Sequence, residues 1–168
     1  MNNQIKKITT IGIVAALYAA LTLALGFISY GPIQFRVAEI MTLLPLFGKE
    51  YIIALTIGCF FANVIGPYGL PDIILGTLAT FISVYLVYIT GKKMKNSKLK
   101  VIVAAIWPII INAVVIGGVM LHGLFKLPLF LSMLQVGFGQ FVVIVIGGIP
   151  IFNIISNKYE KMFINAFK

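Results

Sequence analysis

Residues 72–100 read DIILGTLATFISVYLVYITGKKMKNSKLK. After Asp72 no Asp, Glu, Lys or Arg occurs until Lys92, and then Lys92, Lys93, Lys95, Lys98 and Lys100 follow in close order. About 20 apolar residues in a helix span the hydrocarbon core of a bilayer. Lysines and arginines collect in short loops on the cytoplasmic side. The stretch therefore reads as a membrane-spanning helix that runs into a cytoplasmic loop.

The same pattern extends in both directions. Residues 101–125 and 127–157 also lack Asp, Glu, Lys and Arg. The whole chain is 61% apolar and 10% charged, against roughly 25% charged in a soluble domain, so it could not cover a water-facing surface. Towards the N-terminus, residues 8–29 form a first span that begins after Lys6 and Lys7 and ends before Gly31-Pro32, a helix-breaking pair. The run is too long for a signal-peptide core and reads as a retained helix. Residues 34–47, QFRVAEIMTLLPLF, carry Arg36 and Glu39. At 1.5 Å per residue they reach only about 20 Å as an α-helix, short for a crossing. Further spans fall at 51–65, 72–90, 101–121, with a kink expected at Pro108, and 129–155, long enough to tilt. The expectation is an all-α integral membrane protein, a six-transmembrane-helix bundle forming a single domain over 1–168, with no internal repeat.

An even number of crossings puts both termini on one side. All but Arg36 and Lys126 of the 13 Lys and Arg residues then share that side, so the termini are expected to be cytoplasmic. The formal charge of +9 is thereby explained by topology, and no nucleic-acid partner is expected. Cys59, the only cysteine, forms no internal disulfide.

Catalytic patterns are absent. His122 is the only histidine, and there is no HExxH, nucleophile elbow or phosphate-binding glycine loop. Neither a metal site nor a cofactor is expected, and any coupling to ATP must come from other subunits. The polar side chains inside apolar spans are more informative. An ionisable residue at bilayer depth costs about 2.5–3.5 kcal/mol, so it pairs or faces a cavity. Arg36 and Glu39, three apart on one helix face, read either as a structural ion pair near the outer surface or as a pair of which one binds a polar ligand. Asn63, Asn112, Gln135 and Gln140, with Tyr68 and Asp72 near span ends, offer the donors and acceptors that recognise a heterocycle edge. Singly each also suits an interhelical hydrogen bond; together they suggest an outward-opening pocket. Gly12, Ala15, Ala16, Ala19 and Ala20 form a smooth stripe on the first span. Such a stripe serves packing within one chain or docking of another membrane subunit. Gly58, Ala62 and Gly66 form a second, for which internal packing is expected.

Residues 34–80, QFRVAEIMTLLPLFGKEYIIALTIGCFFANVIGPYGLPDIILGTLAT, resemble the QueT family of substrate-binding S components of energy-coupling factor (ECF) transporters. The likeness continues more loosely through WPIIINAVVIGG (107–118) and VGFGQFVVIVIGG (136–148). The resemblance implies a six-helix S component in a bacterial plasma membrane that captures a queuosine precursor, a 7-deazaguanine such as preQ1 or queuine, at its outer face. It also implies partners: a transmembrane scaffold subunit and two ATPase subunits that use the ATP. On this resemblance Gly12, Ala15, Ala16, Ala19 and Ala20 stand where the scaffold is met. Arg36, Glu39, Asn63, Asp72 and Asn112 become pocket positions. Glutamate is common in the family where this chain has Gln140, which bears on the precise ligand more than on transport. Two alternatives stay open: an S component for another vitamin or nucleobase, and a structural membrane subunit whose polar residues only pack the bundle.

Overall fold

The computed structural model describes residues 3–31 and 33–167, so Pro32 of the expected helix break and Lys168 lie outside the described residues. Helices and connecting turns make up the described chain, with no strand among these residues. Helix α1 is Asn3–Ala24, followed by the single turn Gly26–Ser29. Then come α2 (Val37–Leu46), α3 (Glu50–Ile65) and α4 (Asp72–Lys93). Helix α5 is Ser97–Asn112 continued by Ala113–Leu124, and α6 is Leu129–Asn165.

Four of these, α1, α4, α5 and α6, are long and apolar enough to cross a membrane. Large apolar side chains such as Ile8, Phe27 and Phe130 point outward, more than two-thirds exposed, which fits a lipid-facing exterior. Helices α2 and α3 are shorter. Helix α2 is a 3₁₀ helix of 10 residues, and at a rise of about 2.0 Å per residue it reaches roughly 20 Å. The narrower, stretched winding thus gives it the reach of a longer α-helix. Pro45 lies inside it.

Several boundaries differ from the sequence reading; α4 and α5 run a few residues beyond 72–90 and 101–121. The first helix stops at Ala24, and residues 26–29 form a separate turn. The helix expected over 34–47 starts at Val37, because Arg36 has an extended backbone (φ −80°, ψ 92°). The last helix runs past residue 155 to Asn165; its 37 residues measure about 55 Å, well beyond the roughly 30 Å hydrocarbon core, so it cannot lie wholly within that core. Sequence periodicity marks where apolar character fades, which is not where helical hydrogen bonding stops.

Helix α2 is the axis of the bundle and touches each of the other five helices, while α1 packs on α3, α3 on α4, α4 on α5, and α5 on α6. One end of the bundle collects the basic segments. There Lys7 Nζ donates to Glu50 Oε1 at 3.0 Å, Thr10 Oγ1 donates to the Ala166 carbonyl at 3.1 Å, and Tyr51 O–H donates to the Phe163 carbonyl at 3.1 Å. Phe47 stacks on Phe152 with ring centroids 4.8 Å apart. The start of α1, the 49–50 turn and the end of α6 therefore share one face.

Gly58 sets the α1–α3 spacing. A Cβ at that position would lie 2.7 Å from the Ala15 carbonyl oxygen and 2.9 Å from Tyr18 Cβ. This is the internal packing expected for the second small-residue stripe, and it draws Ala15, 5% exposed, into the same seam. Gly58→Val is expected to push α1 off α3 and lower stability by about 1–3 kcal/mol, measured as a drop in thermal midpoint in detergent.

Candidate ligand-binding site

The polar residues of the sequence gather where α1, the 30–36 segment, α2, α3 and α4 meet. Because Arg36 precedes the first turn of α2 in extended conformation, its side chain is not stacked over Glu39. It pairs instead with Asp72 at the start of α4, Nη2 to Oδ2 3.5 Å, with both side chains buried. Its guanidinium also lies over the Tyr30 ring, 5.4 Å from the centroid, and Nη1 is 3.7 Å from Cys59 Sγ. The Arg36–Glu39 ion pair that the spacing allowed is thus replaced by a pair between segments.

Glu39, 1% exposed, accepts a 2.5 Å hydrogen bond at Oε1 from the Tyr18 hydroxyl of α1. Asn63 on α3 donates through Nδ2 to the Asp72 carbonyl at 2.9 Å and to Cys59 Sγ at 3.3 Å. Thr80 Oγ1 donates to the same sulfur at 3.2 Å. The chain can come this close because residue 76 is glycine: a Cβ there would run into Asp72 Oδ1 and Asn63 Nδ2. Asp72–Gly76 is also a widened, π-helical turn, a geometry common at functional sites. Tyr30 covers one side of the cluster, held by its O–H bond to the Ala62 carbonyl at 2.6 Å. Tyr68 donates to the Tyr30 carbonyl at 2.6 Å, and its ring lies edge-on to that of Tyr30.

Of the sequence candidates, Arg36, Glu39, Asn63 and Asp72 come together, and Tyr68 joins them through Tyr30. Gln140 is buried on α6, 2% exposed, and touches none of these through a hydrogen bond. Asn112 turns back on its own helix and donates to the Pro108 carbonyl at 2.9 Å. Gln135 is only partly buried. Sequence reading missed Tyr18, Tyr30 and Cys59. For Cys59 a signal existed: it lies four residues before Asn63 and so shares that residue's helix face. On the presumed partner surface, Gly12, Ala16 and Ala20 are exposed and Ala19 is partly so.

Seven buried polar side-chain atoms of the described residues have no hydrogen-bond partner: Glu39 Oε2, Asn63 Oδ1 and Asp72 Oδ1 in this cluster, and Gln140 Oε1, Gln34 Nε2 and the Ser29 and Thr77 hydroxyls besides. A buried polar atom without a partner costs about 1–3 kcal/mol, so such a concentration calls for a function. The inventory leans towards acceptors, and two carboxylates face one guanidinium. A ligand that presents several N–H groups, and preferably a positive charge, complements this set. Concavities of the surface lie elsewhere. A cleft of about 310 Å³ at the basic end is lined by Phe47, Lys100, Phe152 and Glu160. An apolar groove of about 530 Å³ runs between Ala113, Met133 and Phe138. Neither includes Arg36, Glu39 or Asp72.

Fold and cluster together define a helical integral membrane protein that encloses a charged, hydrogen-bonding centre within an apolar bundle. The chain belongs to the QueT transporter family, whose profile matches residues 8–157. A similar curated protein is the queuosine precursor transporter QueT of Lactococcus lactis subsp. cremoris (strain MG1363), 51% identical over 77 residues. Those residues are 45% of this chain and 45% of that protein, so the likeness spans just under half of the relative. No solved structure matches the chain.

Proposed function

We propose that this chain is the substrate-binding S component of an ECF importer in a bacterial cell membrane, capturing a queuosine precursor of the 7-deazaguanine class for uptake. Family membership and the name of the Lactococcus relative support transport of such a precursor. The observation that carries the ligand class is the buried, acceptor-rich cluster. A 7-deazaguanine offers a ring N–H beside an exocyclic amino group, and a carboxylate such as Glu39 can accept both, as carboxylates accept the two arms of arginine. An aminomethyl substituent would be cationic and would offset the negative charge left where two carboxylates share one guanidinium. Asn63 supplies a further hydrogen-bonding position beside these carboxylates, and Tyr30 and Tyr68 supply aromatic faces.

In this reading all six helices traverse the bilayer, with α2 and α3 as the short crossings, and both termini are cytoplasmic. The gathering of Lys7, the 49–50 turn and the end of α6 at one face supports that orientation. The chain performs no chemistry on its ligand and takes no cofactor; ATP acts on partner ATPase subunits, and a scaffold subunit meets α1 along Gly12, Ala16, Ala19 and Ala20.

Uptake of a labelled deazaguanine by cells or vesicles tests the assignment. Transport is expected only when scaffold and ATPase subunits are coexpressed; uptake by the chain alone would identify an autonomous transporter. Ala16→Trp, which disturbs an exposed position, is expected to weaken capture of the scaffold by about tenfold or more in pull-down, while ligand affinity is unchanged. Equal capture of the scaffold by both forms would move the interface away from this face.

A further inference from the structure

Gln34 lies in the segment that leads into α2, two residues before Arg36. Its side chain is 4% exposed, yet Nε2 has no hydrogen-bond partner among the described residues. Its backbone is in the left-handed region, φ 53°, which is uncommon for a residue other than Gly, Asn or Asp. Two backbone bonds hold it there: its N–H donates to the Gly31 carbonyl at 3.0 Å, and its carbonyl accepts from Arg36 N–H at 2.8 Å. The segment also lies flush against α6. A Cβ on Gly139 would sit 3.1 Å from the Gln34 oxygen and collide with the Ile33 oxygen. The Gln34 backbone is thereby fixed beside α6 at Gly139, the residue before Gln140, whose buried Oε1 is likewise unpartnered.

The chemistry of Gln34 differs from that of its neighbours. Among the buried, unpartnered side-chain atoms of the described residues, the Glu39, Asp72, Asn63 and Gln140 oxygens accept hydrogen bonds, and the Ser29 and Thr77 hydroxyls can do either. Gln34 Nε2 is the one group that can only donate. A guanine-type edge carries one carbonyl oxygen beside its N–H groups, so a pocket that reads the whole edge needs acceptors for the N–H groups and a donor for the carbonyl.

We propose that Gln34 is a specificity-determining residue whose side-chain amide donates to the carbonyl oxygen of the bound base. The inference rests on the deazaguanine reading given above and adds an uncharged residue that the charge pattern does not single out. A site built to hydrogen-bond a group discriminates strongly against an analogue that lacks it.

The test is a four-way binding comparison by calorimetry, with wild type and Gln34→Met each titrated with 7-deazaguanine and with 2-amino-7-deazapurine, the same base without the carbonyl oxygen. Such a cycle isolates the coupling between one side chain and one ligand group. Gln34→Met is expected to weaken 7-deazaguanine by roughly tenfold or more and to leave 2-amino-7-deazapurine nearly unchanged. An equal effect on both ligands, or none on either, would overturn the assignment while leaving the deazaguanine reading standing. If wild type binds neither base, the reading itself falls and the role of Gln34 falls with it. Should Gln34→Met fail to fold, Gln34→Asn tolerates the positive φ and shortens the amide by one methylene; the same carbonyl-specific loss is then expected.

Discussion

Replacing Arg36 with methionine is expected to lower the stability of the folded bundle by about 3–5 kcal/mol, the typical cost of leaving one member of a buried ion pair without its partner. Arg36 and Asp72 are both almost wholly buried, and Asp72 Oδ1 is already unpartnered. With the guanidinium gone, the carboxylate has no cation within hydrogen-bonding range. The double variant Arg36→Met, Asp72→Asn removes both charges and is expected to recover most of the lost stability, since an apolar or neutral replacement of a whole buried pair is often close to neutral. Thermal unfolding of the single and double variants in detergent checks this. A single variant that melts like wild type would show that the pair contributes nothing to holding α4 against the 30–36 segment.

Glu39→Gln is expected to act on the ligand far more than on the fold. The Tyr18 hydroxyl can still donate to the amide oxygen, so the 2.5 Å link between α1 and α2 persists. What changes is the second oxygen. Oε2, buried and unpartnered, becomes an NH₂ group that meets the ligand's N–H donors with another donor. Loss of a charge-assisted hydrogen bond is worth about 1.5–3 kcal/mol, or roughly 10- to 150-fold in affinity. Calorimetric affinities of wild type and variant, with melting temperatures as the folding control, measure it. A variant that unfolds more readily but has no ligand affinity to lose would favour a structural role for the carboxylate.

The long helices were legible because membrane spanning is a local property. A run without charges, bounded by lysines, identifies α4 wherever it packs, and the same holds for α1, α5 and α6. The interior of the bundle was less legible. Arg36 and Glu39 are three residues apart, and only the extended backbone at Arg36 and the position of Asp72 across the bundle decide that they do not pair. Helix α2 winds as a 3₁₀ helix in the midst of five others, and no short window of sequence reports either fact. Tyr18 and Cys59 sit in apolar runs and read as lipid- or core-facing; their contacts with Glu39 and Asn63 come from the close α1–α3 seam at Gly58 and from the room left at Gly76. Of the candidate site, the ionisable members stood out because charge is costly at bilayer depth. Gln34, Tyr30 and Tyr18 did not, because an uncharged polar residue in or beside an apolar span is ordinary until its burial and its partners, or lack of them, are seen.

The most direct test of the central claim is a calorimetric titration of the purified, well-folded chain with a panel of 7-deazaguanines and guanine. Tight binding of at least one deazaguanine is expected, towards the nanomolar range that corresponds to about 12 kcal/mol, and it should be markedly weakened in Glu39→Gln. Absence of binding by every deazaguanine, in a preparation that melts cooperatively, would contradict the capture role and leave the buried charges as packing elements of the bundle.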